Sequence, residues 1–372
     1  MKYICIISTS GVGGIWSVVR YSLPLFRKHY DVSVIVYTKK HNLQSEVIKY
    51  LESINVKYLI INFNVQNGWL FDICKALNIK KALKFIGEGP AIVHCQDSFL
   101  SGSVLPFLKD KRYSLFSTIH GAMFDAHSFG DKVRGWINKN VRCRLLEKSG
   151  VTIISCDPQS IPILHQYFPR TETIHLAVNG VPAAIGISAD KPCEPFIIGF
   201  MSRFHPLKRW DLVAQSAEEL FKEGYNIRIV FAGSGEECEN IMNWCNNHKE
   251  YAVFMGNVKN VSESLLPQVN LHVLPTQYPE GLPMIILESM AAGIPTITTS
   301  AGSCAFAIED GINGFVIEPQ VDLLVEKLKQ LIDNRELYHN MSNNARKIWG
   351  ERFSDTSMVE QYVSIFSSFV QS

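Results

Sequence analysis

Two glutamates eight residues apart mark the segment of this chain with the clearest chemistry, Glu280-Gly-Leu-Pro-Met-Ile-Ile-Leu-Glu288. Pro283 suits a first helical position, so we expect Glu280 in a loop and Glu288 in the second turn of a helix. The amino end of that helix would offer free N–H groups and a positive dipole end, which suit a phosphate. Carboxylates on either side suit sugar hydroxyls. The segment therefore predicts a nucleotide-sugar site, with three further donor-binding residues, Gly281, Leu282 and Pro283.

Two cations, Arg203 and Lys208, flank His205-Pro206 just after a predicted strand. Cations at the carboxyl end of a strand can hold a diphosphate and neutralise its charge as it leaves, without a metal. The alternative is a solvated basic loop. No Asp-x-Asp pair suited to Mg²⁺ lies near these motifs. We therefore expect no metal and no other cofactor.

Three glycine-containing loops follow predicted strands and can place backbone against a ligand. The first, Ser10-Gly-Val-Gly-Gly14, precedes a helix over 15–28 but lacks the spacing of a dinucleotide fingerprint. We assign donor contacts to Gly13 and Gly14 there, and to Gly233 and Val258 in the loops 231–235 and 255–258. Each loop is otherwise explained by an ordinary turn.

His120 ends a predicted strand in Thr118-Ile-His-Gly121. A histidine at the carboxyl end of a strand, facing a cleft between domains, is a candidate hydrogen-bond donor or acid/base group. The alternative is a structural histidine, which is how we interpret His94 at the end of the preceding strand.

The order of predicted elements indicates two α/β domains. At 372 residues the chain exceeds one ordinary domain of roughly 150. Short Ile/Val-rich strands alternate with amphipathic helices in each half, which predicts two doubly wound, Rossmann-like sheets with ligands at strand ends and between the domains. We expect domains over 1–183 and 184–355, a linker over 181–195, and a final amphipathic helix over 356–372.

Charge is divided unevenly between the halves. Residues 1–183 hold 22 Lys and Arg against 12 Asp and Glu, a net charge of +10, whereas residues 184–372 hold 14 against 23, a net charge of −9. Basic residues cluster with aromatic ones at 75–85 and 129–148, a pattern that can lie on an anionic membrane. The alternative is a pair of helices with solvated outer faces.

Other features limit the classes of protein. The nine cysteines include no Cys-x-x-Cys pair, so neither a zinc site nor a disulfide framework is indicated, which fits a reducing cytosol. No run of about 18 apolar residues predicts a transmembrane helix. We expect a cytoplasmic protein, peripheral at the inner face of the cytoplasmic membrane, with no nucleic-acid partner.

Taken together, these features resemble glycosyltransferase family 4, of the GT-B architecture. The resemblance is carried by Gly13-Gly14, His120, Asn179-Gly180-Val181, Arg203 with Lys208, and Glu280 to Glu288 followed by Ala292-Gly-Ile-Pro295. It implies two Rossmann-like domains facing across a cleft, and a retaining, metal-free hexosyltransferase (EC 2.4) that uses a nucleotide-diphosphate sugar. In this chain Arg209 follows Lys208, where the family usually has glycine.

The resemblance also implies roles for the predicted residues. Arg203 and Lys208 would hold the diphosphate, Glu280 the hydroxyls of the donor sugar, and Glu288 the nucleotide ribose. His120 would reach the sugar from the other domain, and the final helix would cross back to the first. The expected acceptor is a glycan, lipid-linked, in the assembly of a bacterial surface polysaccharide such as O-antigen, capsule or lipopolysaccharide. The alternatives are an inactive partner subunit, or another GT-B enzyme such as a sugar epimerase or phosphorylase.

Overall fold

A computed structural model of the protein describes residues 1–8, 13–39, 45–63, 78–96, 98–108, 110–120, 136, 138–184 and 194–370. The chain divides into two compact units. Unit 1 comprises Met1–Asn179 together with Asp355–Ser372, and unit 2 comprises Gly180–Ser354. These boundaries lie a few residues from the predicted ones, after residues 183 and 355. Most of the predicted linker, residues 185–193, lies outside the described residues.

Unit 1 is built on a parallel sheet. In the described part of this unit, seven strands lie in the order β3-β2-β1-β4-β5-β6-β7. The strands are β1 Lys2–Ser8, β2 Asp31–Lys39, β3 Lys57–Phe63, β4 Ala91–Cys95, β5 Tyr113–Ile119, β6 Thr152–Ser155 and β7 His175–Leu176. The helices are α1 Gly14–Phe26, α2 Ser45–Ser53, α3 Ile79–Ile86, α4 Ser98–Val104, α5 Cys143–Lys148 and α6 Ile161–Tyr167, with a π-helical turn at Asn138–Arg142 before α5.

Unit 2 repeats the arrangement. Its described residues form a six-stranded parallel sheet in the order β10-β9-β8-β11-β12-β13. The strands are β8 Phe196–Met201, β9 Ile227–Ala232, β10 Ala252–Gly256, β11 Leu271–Leu274, β12 Thr296–Thr298 and β13 Gly314–Val316. The helices are α7 Trp210–Lys222, α8 Cys238–Asn247, α9 Val261–Ser264, α10 Met284–Ala291, α11 Val321–Asp333 and α12 Arg335–Arg352. The prediction of two doubly wound α/β domains is confirmed.

The strands form where the sequence has continuous apolar runs. All five residues from Tyr3 to Ile7 in β1 are buried, as expected for a parallel strand covered by helices on both faces. Strand β7 was not predicted, because two residues give no detectable periodicity.

The last helix, α13 Asp355–Val370, belongs to unit 1. Phe366 of this helix packs against Phe116 and Tyr3, with ring centroids 4.6 and 5.7 Å apart. The hydroxyl of Tyr362 lies 3.2 Å from Oγ1 of Thr118 at the end of β5. Unit 1 is therefore completed by α13, which follows unit 2 in the sequence. No helix within the described ranges is long and apolar enough to cross a membrane.

Candidate functional site

The predicted charged residues of unit 2 gather where the direction of its sheet changes. Strands β8 and β11 are neighbours, but the chain leaves β8 toward β9 and leaves β11 toward β12. Loops at the carboxyl ends of such a pair diverge and leave a crevice, the usual ligand site of open α/β sheets. Arg203 and Lys208 follow β8, and Glu280 follows β11. Topology thus brings together residues that are more than 70 positions apart.

Lys208 and Glu280 form an ion pair at this crevice. The two side chains are only 8% and 17% exposed. Burial lowers the pKa of Lys208 to about 8, and the charge of Arg203 acts in the same direction, whereas the nearby Cys304 thiol opposes it. The carboxylate of Glu280 also favours the charged ammonium. The pair therefore holds a cation in a partly desolvated position, where its interaction with an anionic ligand is stronger than in water.

Tyr278 joins the cations of the site. Its ring lies 5.4 Å from the guanidinium carbon of Arg203 and 5.1 Å from Nζ of Lys208. The ring of His205 meets it edge-on at 5.4 Å. The ring of Tyr278 holds the two cations near each other, because each cation is attracted to the π electrons of the ring. Tyr278 was missed at the sequence level, although its place two residues before Glu280 and its aromatic character were the available signals.

Backbone contacts fix the loop that carries Tyr278 and Glu280. The N–H of Gln277 donates to the carbonyl of Leu207 at 2.7 Å, which ties this loop to the turn that carries Lys208. The N–H of Ser303 donates to the carbonyl of Glu280 at 2.9 Å. Gly302 has φ +55°, and a Cβ there would meet the backbone of Glu280. Glycine is therefore required at 302 so that the loop after β12 can support Glu280.

Arg209 does not join the cations that face the crevice. It has φ +57°, in the left-handed region that glycine adopts without cost, which explains why glycine suits this position. Its guanidinium makes a bidentate pair with Asp211, at 2.8 to 3.1 Å, at the start of α7. The extra charge is thus neutralised locally, and both Arg203 and Lys208 remain in place.

The Glu280–Glu288 segment forms a loop and a helix as predicted, with one correction. Pro283 was expected at the first helical position, but it is the residue before it, with ψ 124°, and α10 begins at Met284. The N–H of Ile286 donates to the carbonyl of Pro283 at 3.1 Å. This bond joins residues three apart, so the first turn of α10 is tighter than an α-helical turn. Leu282 is buried, Gly281 is partly buried, and Glu288 lies partly exposed in the second turn.

The carboxyl end of α10 is closed by the predicted small-residue run. The N–H of Ile294 donates to the carbonyl of Ser289, and the N–H of Gly293 donates to that of Met290. With φ +68° at Gly293, this is a Schellman ending. Ser342 and Arg346 of α12 donate to the carbonyls of Gly293 and Ala292. These contacts anchor α10 and so fix the position of Glu288.

The other predicted loop residues of unit 2 have structural surroundings. Gly233 has φ +156°, and a Cβ there would meet the carbonyl of Ser202 in the segment that leads to Arg203. Val258 is partly buried and packs on a cluster that includes Met201 and Ala232. Both loops therefore support the segment after β8.

Gly13, Gly14 and His120 lie in unit 1. Gly13 precedes α1 in extended backbone, nothing lies within 4 Å of a Cβ placed there, and Gly14 is the first residue of the helix. Residues 10–12 of this predicted loop lie outside the described residues. Nε2 of His120 is 2.7 Å from Oε1 of Gln96, and burial lowers the pKa of this imidazole to about 4.

The structure also defines the surroundings of His94. Its ring nitrogens bond Tyr3 and Thr118, and burial lowers its pKa below the usual range, with a further contribution from His120. It is a structural histidine of the core. Among the residues that the structure describes, no group of three or more His, Cys, Asp and Glu side chains is arranged to hold a metal ion.

Comparison with known proteins identifies the family. The profile of the family described as Glycosyl transferases group 1 matches residues 187–348. The N-acetyl-alpha-D-glucosaminyl L-malate synthase of Bacillus anthracis is 31% identical over 289 residues, which cover 74% of this chain and 72% of that protein. The capsular polysaccharide biosynthesis glycosyltransferase CapM of Staphylococcus aureus is 27% identical over 48% of this chain and 47% of its own length.

Among solved structures, the HepE protein of Anabaena in complex with UDP superposes with a TM-score of 0.80. That match covers 99% of this chain and all of HepE at 16% identity, so it shows the fold, which is GT-B. The matched region spans about half the length of CapM and nearly three quarters of the malate synthase. Fold and sequence agree, and the chain belongs to the glycosyl transferases group 1 family.

Proposed function

We propose that this chain transfers a sugar from a nucleoside-diphosphate sugar to a glycan, with retention of configuration and without a metal. The observation that carries the proposal is the convergence of Arg203, Lys208 and Glu280 around Tyr278 at the change of sheet direction in unit 2. Two cations and a carboxylate at a crevice match the charges of a diphosphate and the hydroxyls of a sugar. HepE, with the same fold, was solved with UDP and with UDP-glucose, which supports a uridine nucleotide as the first donor to test.

In this proposal the cations and carboxylates of unit 2 take different parts of the donor. Lys208, which pairs with Glu280, and Arg203 hold the diphosphate and stabilise the charge that develops as the nucleotide leaves. Glu280 accepts hydrogen bonds from the sugar, and Glu288 accepts them from the ribose. The donor-binding glycines, Leu282, Pro283 and Val258 shape the loops around these groups, and His120 acts on the sugar.

We further propose a glycan acceptor, lipid-linked, in the assembly of a bacterial surface polysaccharide. CapM, named for capsular polysaccharide biosynthesis, supports the pathway. The positive charge of the first half supports binding of an anionic acceptor or surface there.

Contact with an anionic membrane is part of the proposal, and the exposed basic residues are the ones that would take part. Lys80, Lys81 and Lys84 are exposed on α3, while Ile79, Ala82 and Ile86 are buried. In the second cluster Arg144 and Lys148 are exposed, and Trp136 is 64% exposed. Arg142 is partly buried against Gly102, and Lys139 stacks on Tyr167 at 5.3 Å. Lys75, Phe129, Lys132 and Arg134 lie outside the described residues.

The catalytic proposal is tested with the purified chain. Thermal-shift measurements against nucleoside diphosphates and their sugars should find one that raises the melting temperature, because a ligand at 100 times its Kd adds about 2.7 kcal/mol of stability. The stabilising nucleotide sugar should then be consumed when glycan acceptors are supplied, with the anomeric configuration retained by NMR. No stabilisation by any nucleotide, or an inverted product, would contradict the proposal.

The membrane proposal needs a separate experiment. The chain should float with phosphatidylglycerol vesicles at low salt and be released as salt rises, since each basic residue near such a surface contributes about 1 kcal/mol and is screened by ions. Replacing Lys80, Lys81 and Lys84 by Glu should weaken flotation. Equal flotation with neutral vesicles, or none at low salt, would contradict an electrostatic membrane contact.

A further inference from the structure

Gln96 is a buried polar residue that touches His120. It follows β4, as His120 follows the neighbouring strand β5, and its side chain is fully buried. Its Oε1 lies 2.7 Å from Nε2 of His120. Its Nε2 lies 3.5 Å from Nδ1 of His94. The amide therefore stands between two imidazoles.

The hydrogen bonds of His94 bear on the orientation of this amide. Nδ1 of His94 is 2.8 Å from the hydroxyl of Tyr3, and Nε2 is 2.7 Å from Oγ1 of Thr118. Burial raises the pKa of Tyr3 well above its usual range, so the phenol keeps its proton. In the arrangement on which the proposal rests, this proton is donated to Nδ1, and His94 carries its own proton on Nε2 and donates to Thr118. The group of Gln96 that faces Nδ1 is then the amide N–H, and Oε1 faces His120.

This orientation assigns the proton of His120. A carbonyl oxygen only accepts, so Nε2 of His120 must carry the hydrogen that it donates to Gln96. The lone pair of the neutral ring is then on Nδ1. Burial of the ring lowers its pKa to about 4, so the neutral form prevails at neutral pH.

We propose that Gln96 is a positioning residue that locks His120 as its Nε2–H tautomer, so that Nδ1 serves as a hydrogen-bond acceptor for a hydroxyl of the substrate. The proposal rests on the proposed glycosyl transfer and makes it more specific. The sequence left His120 as either a donor or an acid/base group, and the network selects the accepting role. The neutral imidazole would orient a hydroxyl of the substrate.

A purely structural role for Gln96 makes different predictions. Its backbone N–H donates to the carbonyl of Ile6 at 3.0 Å, and any change at a fully buried position can lower stability. A structural role would not change the tautomer of His120 in a variant that still folds. It would also leave the pH dependence of turnover unchanged.

The first test is the tautomer itself, which needs no activity. Long-range ¹H–¹⁵N NMR of ligand-free protein labelled at histidine, with His120 assigned from a His120→Asn variant, should show the Nε2–H pattern between pH 6 and 8. In Gln96→Met the two tautomers should both be populated. An Nδ1–H pattern in the native chain, or an unchanged pattern in a folded Gln96→Met, overturns the proposal whether or not transfer has been observed.

The second test uses Gln96→Glu, which keeps an acceptor for Nε2–H but adds negative charge. The tautomer should persist, while the carboxylate raises the pKa of His120 because it favours the imidazolium. The described titratable groups that surround this pair are His94, Tyr3 and Tyr362, all held neutral by burial. Activity should therefore be lost below the raised pKa and recover above it. An unmoved acidic limb of kcat/KM overturns the proposal.

Kinetics and a matched control complete the design. Gln96→Met should lower kcat/KM by roughly 3–10-fold, the size of one lost hydrogen bond, with thermal stability reported alongside. Ser117→Ala removes a buried hydrogen bond to Ser101 on the strand that leads to His120, outside this network, and should change kcat/KM by less than twofold. Equal losses in the two variants would mean that the network acts through stability and would overturn the proposal. If the native chain transfers no sugar, the proposed function fails, and the NMR result stands by itself.

Discussion

The two units place functional groups at the ends of parallel strands by different physical means. In unit 2 the side chains are charged, and Lys208 pairs with Glu280 while sharing the ring of Tyr278 with Arg203. In unit 1 the side chains around His120 are neutral, and they are connected by hydrogen bonds through Gln96. Charged groups suit the binding of a diphosphate. A network of neutral groups instead fixes which nitrogen of His120 carries the proton and which one can accept a hydrogen bond. The comparison therefore predicts that substitutions that remove a charge lower activity most when they are made in unit 2.

Removing a cation from unit 2 should have the largest effect. Lys208→Ala and Arg203→Ala should each lower turnover by about 10²–10³-fold, more than they raise the KM for the donor, because the charges matter most as the diphosphate leaves. Since Lys208→Ala also leaves Glu280 without its partner, melting temperatures must accompany the kinetics. Lys222→Ala, at a cation 74% exposed on α7, is the matched control. Near-native turnover of either variant would remove that residue from the phosphate site.

Glu288 tests whether the helix after Pro283 binds nucleotide. Glu288→Ala should weaken nucleoside-diphosphate binding by about 1.5–3 kcal/mol, the value of a hydrogen bond to a charged group, while the fold persists. Calorimetry measures this directly. Glu326→Ala, at an exposed carboxylate on α11, should leave affinity unchanged. Equal affinity in both variants would contradict the ribose assignment.

The lowered pKa of Lys208 predicts an alkaline limit. Burial lowers the pKa of Lys208, so the free enzyme loses the ammonium at lower pH than an exposed lysine would, and kcat/KM should fall up to tenfold per pH unit above that lowered pKa. Bound diphosphate favours the charged form, so kcat should persist to higher pH than kcat/KM. Lys208→Arg, whose charge does not titrate in this range, should flatten the profile. An alkaline limb that remains in this variant would belong to another group.

Tyr278 should contribute less than the cations that it holds. Tyr278→Leu removes the ring and should lower kcat/KM by about 2–30-fold, in line with a cation–π energy of about 0.5–2 kcal/mol. Tyr278→Phe keeps the ring and serves as the control, with nearly native kinetics expected. If Phe and Leu are equivalent, the ring does not organise Arg203 and Lys208.

Chelation should have no effect. If the two cations alone neutralise the leaving diphosphate, turnover should stay within twofold of its starting value in excess EDTA. Loss of activity that Mg²⁺ or Mn²⁺ restores would mean that Arg203 and Lys208 are insufficient. A metal ion would then share the neutralisation of the diphosphate in unit 2.

The sequence predicted the elements more completely than the contacts of the site. Strands such as β8 and β9 could be predicted, because their apolar runs end sharply at turn residues. The Glu280–Glu288 spacing lies within one loop and helix, so local rules located both carboxylates. Only the position of Pro283 was wrong, since N-cap and first helical positions differ by one residue and proline tolerates both.

Contacts between segments that are distant in the sequence could not be predicted from local sequence patterns. The Lys208–Glu280 pair depends on which strands are neighbours, and the support of Glu280 depends on Gly302 of another loop. Gln96 could have been found, because it follows the predicted strand that carries His94, and that strand comes just before the strand of His120 in the sequence. The orientation of the Gln96 amide could not be predicted from the sequence, because it depends on Tyr3, Thr118 and His94, which come from three strands.

The return of α13 to unit 1 determines the order in which the chain can fold. Unit 2 is continuous in sequence, whereas the contact between Thr118 and Tyr362 spans 244 residues. During synthesis the unit made first lacks Tyr362 and Phe366, so their contacts with Thr118, Phe116 and Tyr3 form only after α13 has left the ribosome. The usual N-terminal-first order of domain folding is therefore reversed for completion of the core. A chain that stops at residue 354 could complete unit 2 but would leave unit 1 with an open apolar face.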